Sequence, residues 1–194
     1  LMWGRPLRAI FALFNGSKIT FQFDHLESVD EIVIEQDLVL KSKKVKNYKE
    51  YYSLLKSNNI VLDHNEREKI ILKRFNTISK LKNYKENYNL KLLEEVVNIV
   101  EEPHILLVDF NKDYLKIPQE IIISTLEKHQ KYFPIFDSRD RLTNYFFVVA
   151  NKKDEKKLIT KGNKRVVEAR LSDAKFFWDK DRSKNLIKQI VNLK

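Results

Sequence analysis

The chain has 194 residues, of which 43% are apolar, and this fraction is enough for a sizeable core in one domain or two small ones. Cysteine is absent, which excludes disulfides, thiolate catalysis and cysteine-ligated zinc. Charges interrupt the longest apolar runs, so we expect no membrane span. The absence of cysteine fits a reducing cytoplasm, which is the expected location.

The net charge of +10 is concentrated in one region. Residues 41–91 hold fourteen Lys and Arg against five Asp and Glu, which leaves a net +1 for the remainder. Clustered cations bind phosphates by releasing counterions, which favours a nucleic-acid partner. The alternative is that 28 lysines against nine arginines reflect the codon usage of an AT-rich genome. Because lysine reads base edges less well than arginine, any binding here is expected to be backbone-directed and salt-sensitive.

The first sixty residues are predicted to be rich in β-strands. Asn15-Gly16 separates apolar runs at 10–14 and 19–23, and this pattern predicts a hairpin. Imperfect alternation predicts a further strand over 32–40. Tyrosines and leucines between residues 48 and 55 then predict a short helix, and 60–62 another strand.

Helices and a second hairpin are predicted beyond residue 62. Asp63 with Glu66 three residues later resembles a capping box and predicts a helix over 65–80. Apolar residues at helical spacing predict a second helix over 90–100, which Pro103 ends. A buried strand at 104–110 and a helix from Pro118 to about His129 follow. Runs at 132–136 and 142–150 predict the hairpin.

These elements predict an α+β fold in which mixed, largely antiparallel sheets are built from hairpins and packed with helices. Residues 1–62 form a β-rich amino-terminal part, 63–91 a basic helical insertion, and 92–194 an α/β part with a long carboxy-terminal helix. We expect the three to make one compact module.

Residues 162–181, GNKRVVEARLSDAKFFWDKD, are predicted to form an amphipathic helix whose apolar stripe contains Arg170. The stripe is made of Val166, Val167, Leu171, Ala174, Phe177 and Trp178. A buried guanidinium needs a partner. Arg170 is therefore expected to pair with a carboxylate such as Asp173, or else to reach an anionic ligand.

The motifs of common active sites are missing. The only glycines are Gly4, Gly16 and Gly162, so no glycine-rich phosphate loop can form. The four histidines lie far apart in sequence, and no GxSxG elbow or paired acid and base is marked out. We expect no catalytic, cofactor-binding or metal-ligating residue in this chain.

Several short stretches resemble, in the same order, motifs of the bacterial glycyl-tRNA synthetase beta subunit. Residues 162–177 match GNxRVxxARLxDAxFF, and 129–134 match HQKYFP. The weaker matches are RPxR at 5–8, VxDxxER at 61–67, LLEEV at 92–96, VExP at 100–103, LPxE at 117–120 and the end of VAN at Asn151. The matches cover nearly the whole chain. The chain departs from the family pattern at one place. The family has a basic stretch ending in GHRF there, whereas residues 28–39 of this chain are SVDEIVIEQDLV.

The resemblance implies a fold similar to the B3/B4-like module of synthetase beta chains. It also implies that the parent is an α2β2 glycine–tRNA ligase whose alpha subunit uses ATP and magnesium. A chain opening on Leu1 suggests an internal fragment. The resemblance implies that this fragment does not hold the aminoacylation site. Its expected partners are the alpha subunit, tRNA(Gly) and the rest of the beta subunit. Editing of misacylated tRNA and a purely intersubunit scaffold are the alternatives.

The candidate residues fall into two groups. Possible tRNA phosphate contacts are Lys164, Arg165 and Lys175 on the predicted helix 162–181 and Lys43, Lys44 and Lys46 in the basic region. For the three on the helix, the alternative is an ordinary solvated face. Family-motif residues with an expected structural role are Gly162, Asn163, Arg170, Asp173, Phe177, His129 and Tyr132. His129 is expected to pack or cap rather than act as an acid or base. Aromatics at 132, 133, 146 and 147 offer base-stacking faces or core, with about half expected to be buried.

Overall fold

The computed structural model describes residues 7–36, 39–86 and 88–183, so Arg5 and Pro6 of the RPxR-like stretch fall outside it. The chain divides into two compact units, Leu1–Leu62 and Asp63–Lys194. Within the described residues, helices accompany small, mostly antiparallel sheets, which confirms the predicted α+β class. None of the helices in these ranges is long and apolar enough to cross a membrane.

The amino-terminal unit begins with short strands. They are β1 (Ile10–Phe11), β2 (Leu13–Phe14), β3 (Ser17–Lys18), β4 (Gln22–Phe23) and β5 (Leu26–Val29). Asn15 and Gly16 have φ of 49° and 82° and join β2 to β3, which confirms the predicted hairpin. The hairpin is shorter than predicted because β4 pairs with β5, which also pairs in parallel with β1.

A second hairpin and a helix complete this unit. β6 (Glu31–Gln36) pairs antiparallel with β7 (Val39–Lys44), so the single strand predicted over 32–40 is wrong. α1 (Tyr48–Ser57) confirms the predicted helix. The strand predicted at 60–62 is also wrong, because Ile60 donates its N–H to the Leu55 carbonyl at 3.0 Å and continues the end of α1.

The carboxy-terminal unit is built around a three-stranded antiparallel sheet with strand order β8-β10-β9. Its helices and strands are α2 (His64–Lys82), α3 (Leu90–Ile99), β8 (His104–Asp109), a 3₁₀ helix (Lys112–Lys116), α4 (Gln119–Ser124), a π turn (Thr125–His129), β9 (Phe133–Phe136), β10 (Leu142–Ala150) and α5 (Leu158–Ser183). Asp63 caps α2 by accepting the N–H groups of Asn65 and Glu66, as predicted. The hairpin of β9 and β10 is confirmed as well.

Both faces of this sheet are covered, because successive strand residues point to opposite sides. Phe147 packs with Phe75 of α2 and Phe133, whereas Phe146 packs with Tyr132 and the inner side of α5. All four aromatics predicted at 132, 133, 146 and 147 are therefore buried. The expectation that about half would be exposed is wrong, and so is their use as base-stacking faces.

The basic segment 63–91 contributes to this core. Ile71 and Phe75 of α2 are fully buried, and the Phe75 ring stacks on Phe147 with centroids 4.6 Å apart. The Tyr88 ring also lies against Phe75, with ring centroids 4.8 Å apart. Lys69, Lys73 and Lys80 of α2 occupy the opposite, solvated side of the helix, whereas Arg67 lies on the core side and is half-buried.

α5 packs on the sheet through a narrower stripe than predicted. Val167 and Leu171 are fully buried, with Ala174 and Trp178 against the same cluster. Val166 and Phe177 are 41% and 58% exposed, and Arg170 is exposed, so their placement in the buried stripe is wrong. The sheet covers only the side of α5 that faces it, and positions 166, 170 and 177 lie beside that side on the helical wheel.

Candidate nucleic-acid interface

Two of the three candidate cations on α5 form ion pairs with carboxylates of the carboxy-terminal unit. Lys164 Nζ lies 2.7 Å from Asp109 Oδ2, and this hydrogen bond raises the pKa of the Lys164 ammonium. Lys175 Nζ lies 2.5 Å from Asp179 Oδ2. Arg165 is exposed and makes no ion pair within the described residues. A phosphate would have to compete with Asp109 and Asp179 for the two lysines.

Two family motifs meet at a part-buried hydrogen bond. Tyr132 of the HQKYFP stretch donates its hydroxyl to Asn163 Oδ1 of the GN pair, and Asn163 Nδ2 donates to the Ile159 carbonyl at 2.8 Å. Burial raises the pKa of Tyr132, and the nearby charge of Arg170 opposes that rise. The Tyr132 ring also stacks on Phe146 at 5.2 Å. This arrangement fixes α5 to the chain that enters β9.

The other motif residues have varied surroundings. Asn151 Oδ1 accepts the backbone N–H groups of Glu101 and Glu102 at 2.6 and 2.8 Å, which ties the end of β10 to the turn after α3. A Cβ added at Gly162 would meet no atom within 4 Å, so packing does not require a glycine there. His129 is exposed at the end of the π turn, so its expected packing is wrong, whereas its expected capping role stays a prediction.

Arg170 and Asp173 do not form the expected ion pair. Both are exposed, and neither takes part in a salt bridge among the described residues. Because the Arg170 guanidinium is solvated, the reason for expecting a partner no longer applies. Arg170, Asp173 and Phe177 lie together on the outward side of α5, at helical spacing.

The candidate lysines of the amino-terminal unit have fewer carboxylate partners. Lys43 and Lys44 belong to β7, and Lys46 follows it; all three are exposed. Lys44 Nζ lies 3.2 Å from Asp30 Oδ2, whereas Lys43 and Lys46 have no ion pair within the described residues. The three candidates lie within four consecutive residues of this unit.

Two adjoining grooves of about 520 and 440 Å³ run between the β6–β7 hairpin and α1. Lys43, Leu54 and Ser57 line both grooves, and Ile34 adds apolar surface to the larger one. Ile32 and Ile34 stand opposite Lys43 and Lys41 in the hairpin. An apolar floor edged by ammonium groups can hold a sugar against carbon atoms while lysine contacts the phosphate.

An exposed aromatic pair on α1 was not predicted as a site. Tyr48 and Tyr52 are 71% and 41% exposed, with ring centroids 6.1 Å apart and planes at 26°. Exposed Lys49 and Lys56 lie on the same side of the helix. Tyr51 turns inward and stacks on Phe11 at 5.6 Å. The sequence signal for this pair was the four-residue spacing of Tyr48 and Tyr52, which places both rings on one side of a helix together with Lys49 and Lys56.

Comparison with known proteins agrees with the resemblance seen in the sequence. The family model described as "Glycyl-tRNA synthetase beta subunit" matches residues 1–194. The "Glycine--tRNA ligase beta subunit" of Buchnera aphidicola subsp. Acyrthosiphon pisum (strain Tuc7) is 39% identical over 196 residues, covering 99% of this chain and 28% of the relative. That of Thermodesulfovibrio yellowstonii is 34% identical over 184 residues, covering 94% and 27%.

A plant relative is similar over the same region. The "Glycine--tRNA ligase, chloroplastic/mitochondrial 2" of Arabidopsis thaliana is 34% identical over 184 residues, covering 95% of this chain and 17% of the relative. The chain belongs to the glycyl-tRNA synthetase beta subunit family. It spans less than a third of the length of the curated relatives it matches.

Proposed function

We propose that the chain is the part of a glycine–tRNA ligase beta subunit that positions tRNA for glycylation at a site in the alpha subunit. Membership of the family supports the parent enzyme, and the printed names of the relatives support a beta subunit with a partner subunit and a tRNA substrate. In the proposed α2β2 enzyme, the alpha subunit binds ATP and magnesium. The likeness to the B3/B4-like module and the cytoplasmic location belong to the same proposal.

One observation carries the positioning role, namely the exposed lysines Lys43, Lys44 and Lys46 beside the grooves of the amino-terminal unit. Of the three, only Lys44 has a carboxylate within ion-pair distance in the described residues, so this surface keeps most of its positive charge. A lysine-rich surface of this kind attracts the phosphate backbone without reading sequence. It would orient the tRNA while a different polypeptide performs the chemistry.

Binding of tRNA(Gly) to the 194-residue chain at low and raised salt tests this role. For the triple variant Lys43→Glu/Lys44→Glu/Lys46→Glu we expect binding at least about tenfold weaker, and a slope of log Kd against log salt that falls by roughly 0.7 to 0.9 for each phosphate that the variant no longer neutralises. Lys152, Lys156 and Lys157 are exposed lysines of the carboxy-terminal unit. Replacing those three by Glu changes the net charge equally and serves as the control.

Equal weakening in both triple variants would mean that net charge alone attracts the tRNA, which contradicts a local contact surface. No binding by the wild-type chain at low salt would remove the positioning role.

Editing remains an alternative with its own measurement: hydrolysis of alanyl- or seryl-tRNA(Gly) by the chain above the spontaneous rate would support it.

The intersubunit scaffold is favoured by a different observation. Phe176 and Phe177 are 61% and 58% exposed on the outward side of α5, and their rings contact each other edge to face at 5.4 Å. Two adjacent exposed aromatics are typical of a surface that another domain covers. Phe176→Ser/Phe177→Ser in the full beta subunit should weaken assembly with the alpha subunit if that subunit covers them, and should leave the KM for tRNA unchanged in the assembled enzyme.

A further inference from the structure

The outward face of α1 combines aromatic rings with ammonium groups in an alternating order. Tyr48, Lys49, Tyr52 and Lys56 are all exposed and fall within about a third of the helix circumference. Tyr48 is 71% exposed, so it keeps surface for a further ring beyond its contacts with Tyr51 and Tyr52. We propose that this face is a stacking platform for unpaired bases of an RNA strand.

The start of α1 holds Tyr48 in place. Asn47 Oδ1 accepts the Glu50 N–H at 2.9 Å, and the Glu50 carboxylate accepts the Lys46 N–H at 2.9 Å. This pair resembles a capping box, except that the carboxylate bonds the N–H of the residue before the cap, and it fixes the first turn that carries Tyr48. Tyr51 anchors the same turn by stacking on Phe11. The platform is therefore preorganised, which lowers the entropy lost when a base is ordered on it.

The positive charge of this face of α1 favours RNA over an apolar protein surface as its partner. Glu50 is the only acidic residue of α1, and its carboxylate is directed to the Lys46 N–H and the Asn47 amide. Lys49 and Lys56 have no ion pair within the described residues. Two unneutralised cations beside two rings oppose burial under an apolar surface, because each would lose its hydration without a partner. A phosphate strand supplies both the negative charge and the ring faces.

The dimensions of the face suit a short single strand. From residue 48 to residue 56 the helix rises about 12 Å, which matches about three bases at a stacking distance of roughly 3.4 Å. A duplex hides its base faces in its own stack and cannot use such a platform. The ligand is therefore an unpaired segment, such as a loop or an end of a structured RNA, rather than a helical stem. This inference rests on the proposed tRNA-binding function and adds the part of the RNA that is contacted.

Fluorescence anisotropy with three labelled probes tests the inference on the 194-residue chain. The probes are a single-stranded RNA of about ten nucleotides, an RNA hairpin stem with the same number of phosphates, and an abasic strand of the same length. For Tyr48→Ala/Tyr52→Ala we expect Kd for the single strand to rise about a hundredfold, or about tenfold per tyrosine, with less than about a twofold change for the stem and the abasic strand.

Matched variants separate stacking from folding and from charge. Tyr48→Phe/Tyr52→Phe keeps both rings and should bind the single strand as the wild type does. Lys49→Gln/Lys56→Gln should weaken all three probes and lower the salt slope by about 1.4. Phe176→Ala removes an equally exposed ring from the carboxy-terminal unit and should change nothing. Thermal unfolding of each variant checks that α1 remains intact.

The results distinguish this inference from the proposed function. If no probe binds the wild type at low salt, both are overturned. If the probes bind but the alanine variant matches the wild type on the single strand, or weakens the stem and abasic strand equally, only the stacking platform is overturned. A loss in the phenylalanine variant as large as in the alanine variant would also overturn it, because the hydroxyls would then be the contacting groups.

Discussion

Phe75 is the residue by which the basic helix α2 can be tested as part of the core. Its side chain is fully buried, and it contacts Phe147, Tyr88 and Phe133 with ring centroids 4.6, 4.8 and 4.9 Å apart. Replacing a fully buried phenylalanine by alanine removes its transfer free energy and leaves a cavity, which together cost about 3 to 5 kcal/mol. Three aromatic contacts place Phe75→Ala in the upper part of that range.

Urea unfolding followed by tryptophan fluorescence measures this loss. Trp178 packs with the cluster on the opposite face of the sheet, so it reports whether both faces unfold together. A loss of about 4 kcal/mol is a large part of the 5 to 15 kcal/mol typical of a domain, and it should lower the urea midpoint by at least 1 M for a slope of about 1 to 3 kcal/mol/M. Phe176→Ala, at an exposed position, is the matched control.

A loss below about 1 kcal/mol for Phe75→Ala, or no difference from Phe176→Ala, would refute the reasoning. Segment 63–91 would then behave as an appendage on a core that is complete without it. A lowered midpoint with a changed slope would instead mean that the two faces of the sheet no longer unfold together.

Three further predictions concern polar contacts. Asn151→Ala should cost about 1 kcal/mol because two backbone N–H groups lose their acceptor, whereas Asn151→Asp should keep the stability; chemical denaturation compares the two. Tyr132→Phe should also cost about 1 kcal/mol in the same assay, since Asn163 loses its donor while the ring stays in place. Burial raises the pKa of the Asp154 carboxyl group, but hydrogen bonds from the start of α5 outweigh burial and hold this pKa below its usual value. Its contribution is present above the unfolded-state pKa and disappears as pH falls through the folded pKa, so the Tm difference between wild type and Asp154→Asn should vanish in acid.

Local signals in the sequence predicted many helices and turns. Asp63 at the start of α2 and Asn15-Gly16 in the first hairpin work through hydrogen bonds and dihedral angles within a few residues, and both are confirmed. The β6–β7 hairpin was missed because the sequence between its strands has no glycine, proline or Asn-Gly pair. The apolar run from 32 to 40 therefore looked continuous.

Contacts between distant residues could not be predicted. Lys164 and Asp109 are 55 residues apart in sequence, and only the packing of α5 beside β8 brings them together. The error at Arg170 has a similar origin. α5 carries apolar residues on two neighbouring stripes, and periodicity alone does not say which stripe the sheet will cover. Val167 and Leu171 are buried, while Val166 and Phe177 remain outside.

The two units also clarify the origin of the basic excess. Residues 63–91 hold eight cations against four carboxylates, and Lys69, Lys73 and Lys80 of α2 lie on the solvated side of a helix whose other side is core. Any core helix needs such a side, so codon usage is a sufficient explanation there. Residues 41–62 hold six lysines against Glu50 alone. Glu50 serves the cap of α1, and Lys43, Lys46, Lys49 and Lys56, around the grooves and the tyrosine pair, have no ion pair within the described residues. If the chain binds RNA, charge reversal should therefore be much more damaging in 41–62 than on the outer side of α2, whereas uniform codon bias would make the two equivalent.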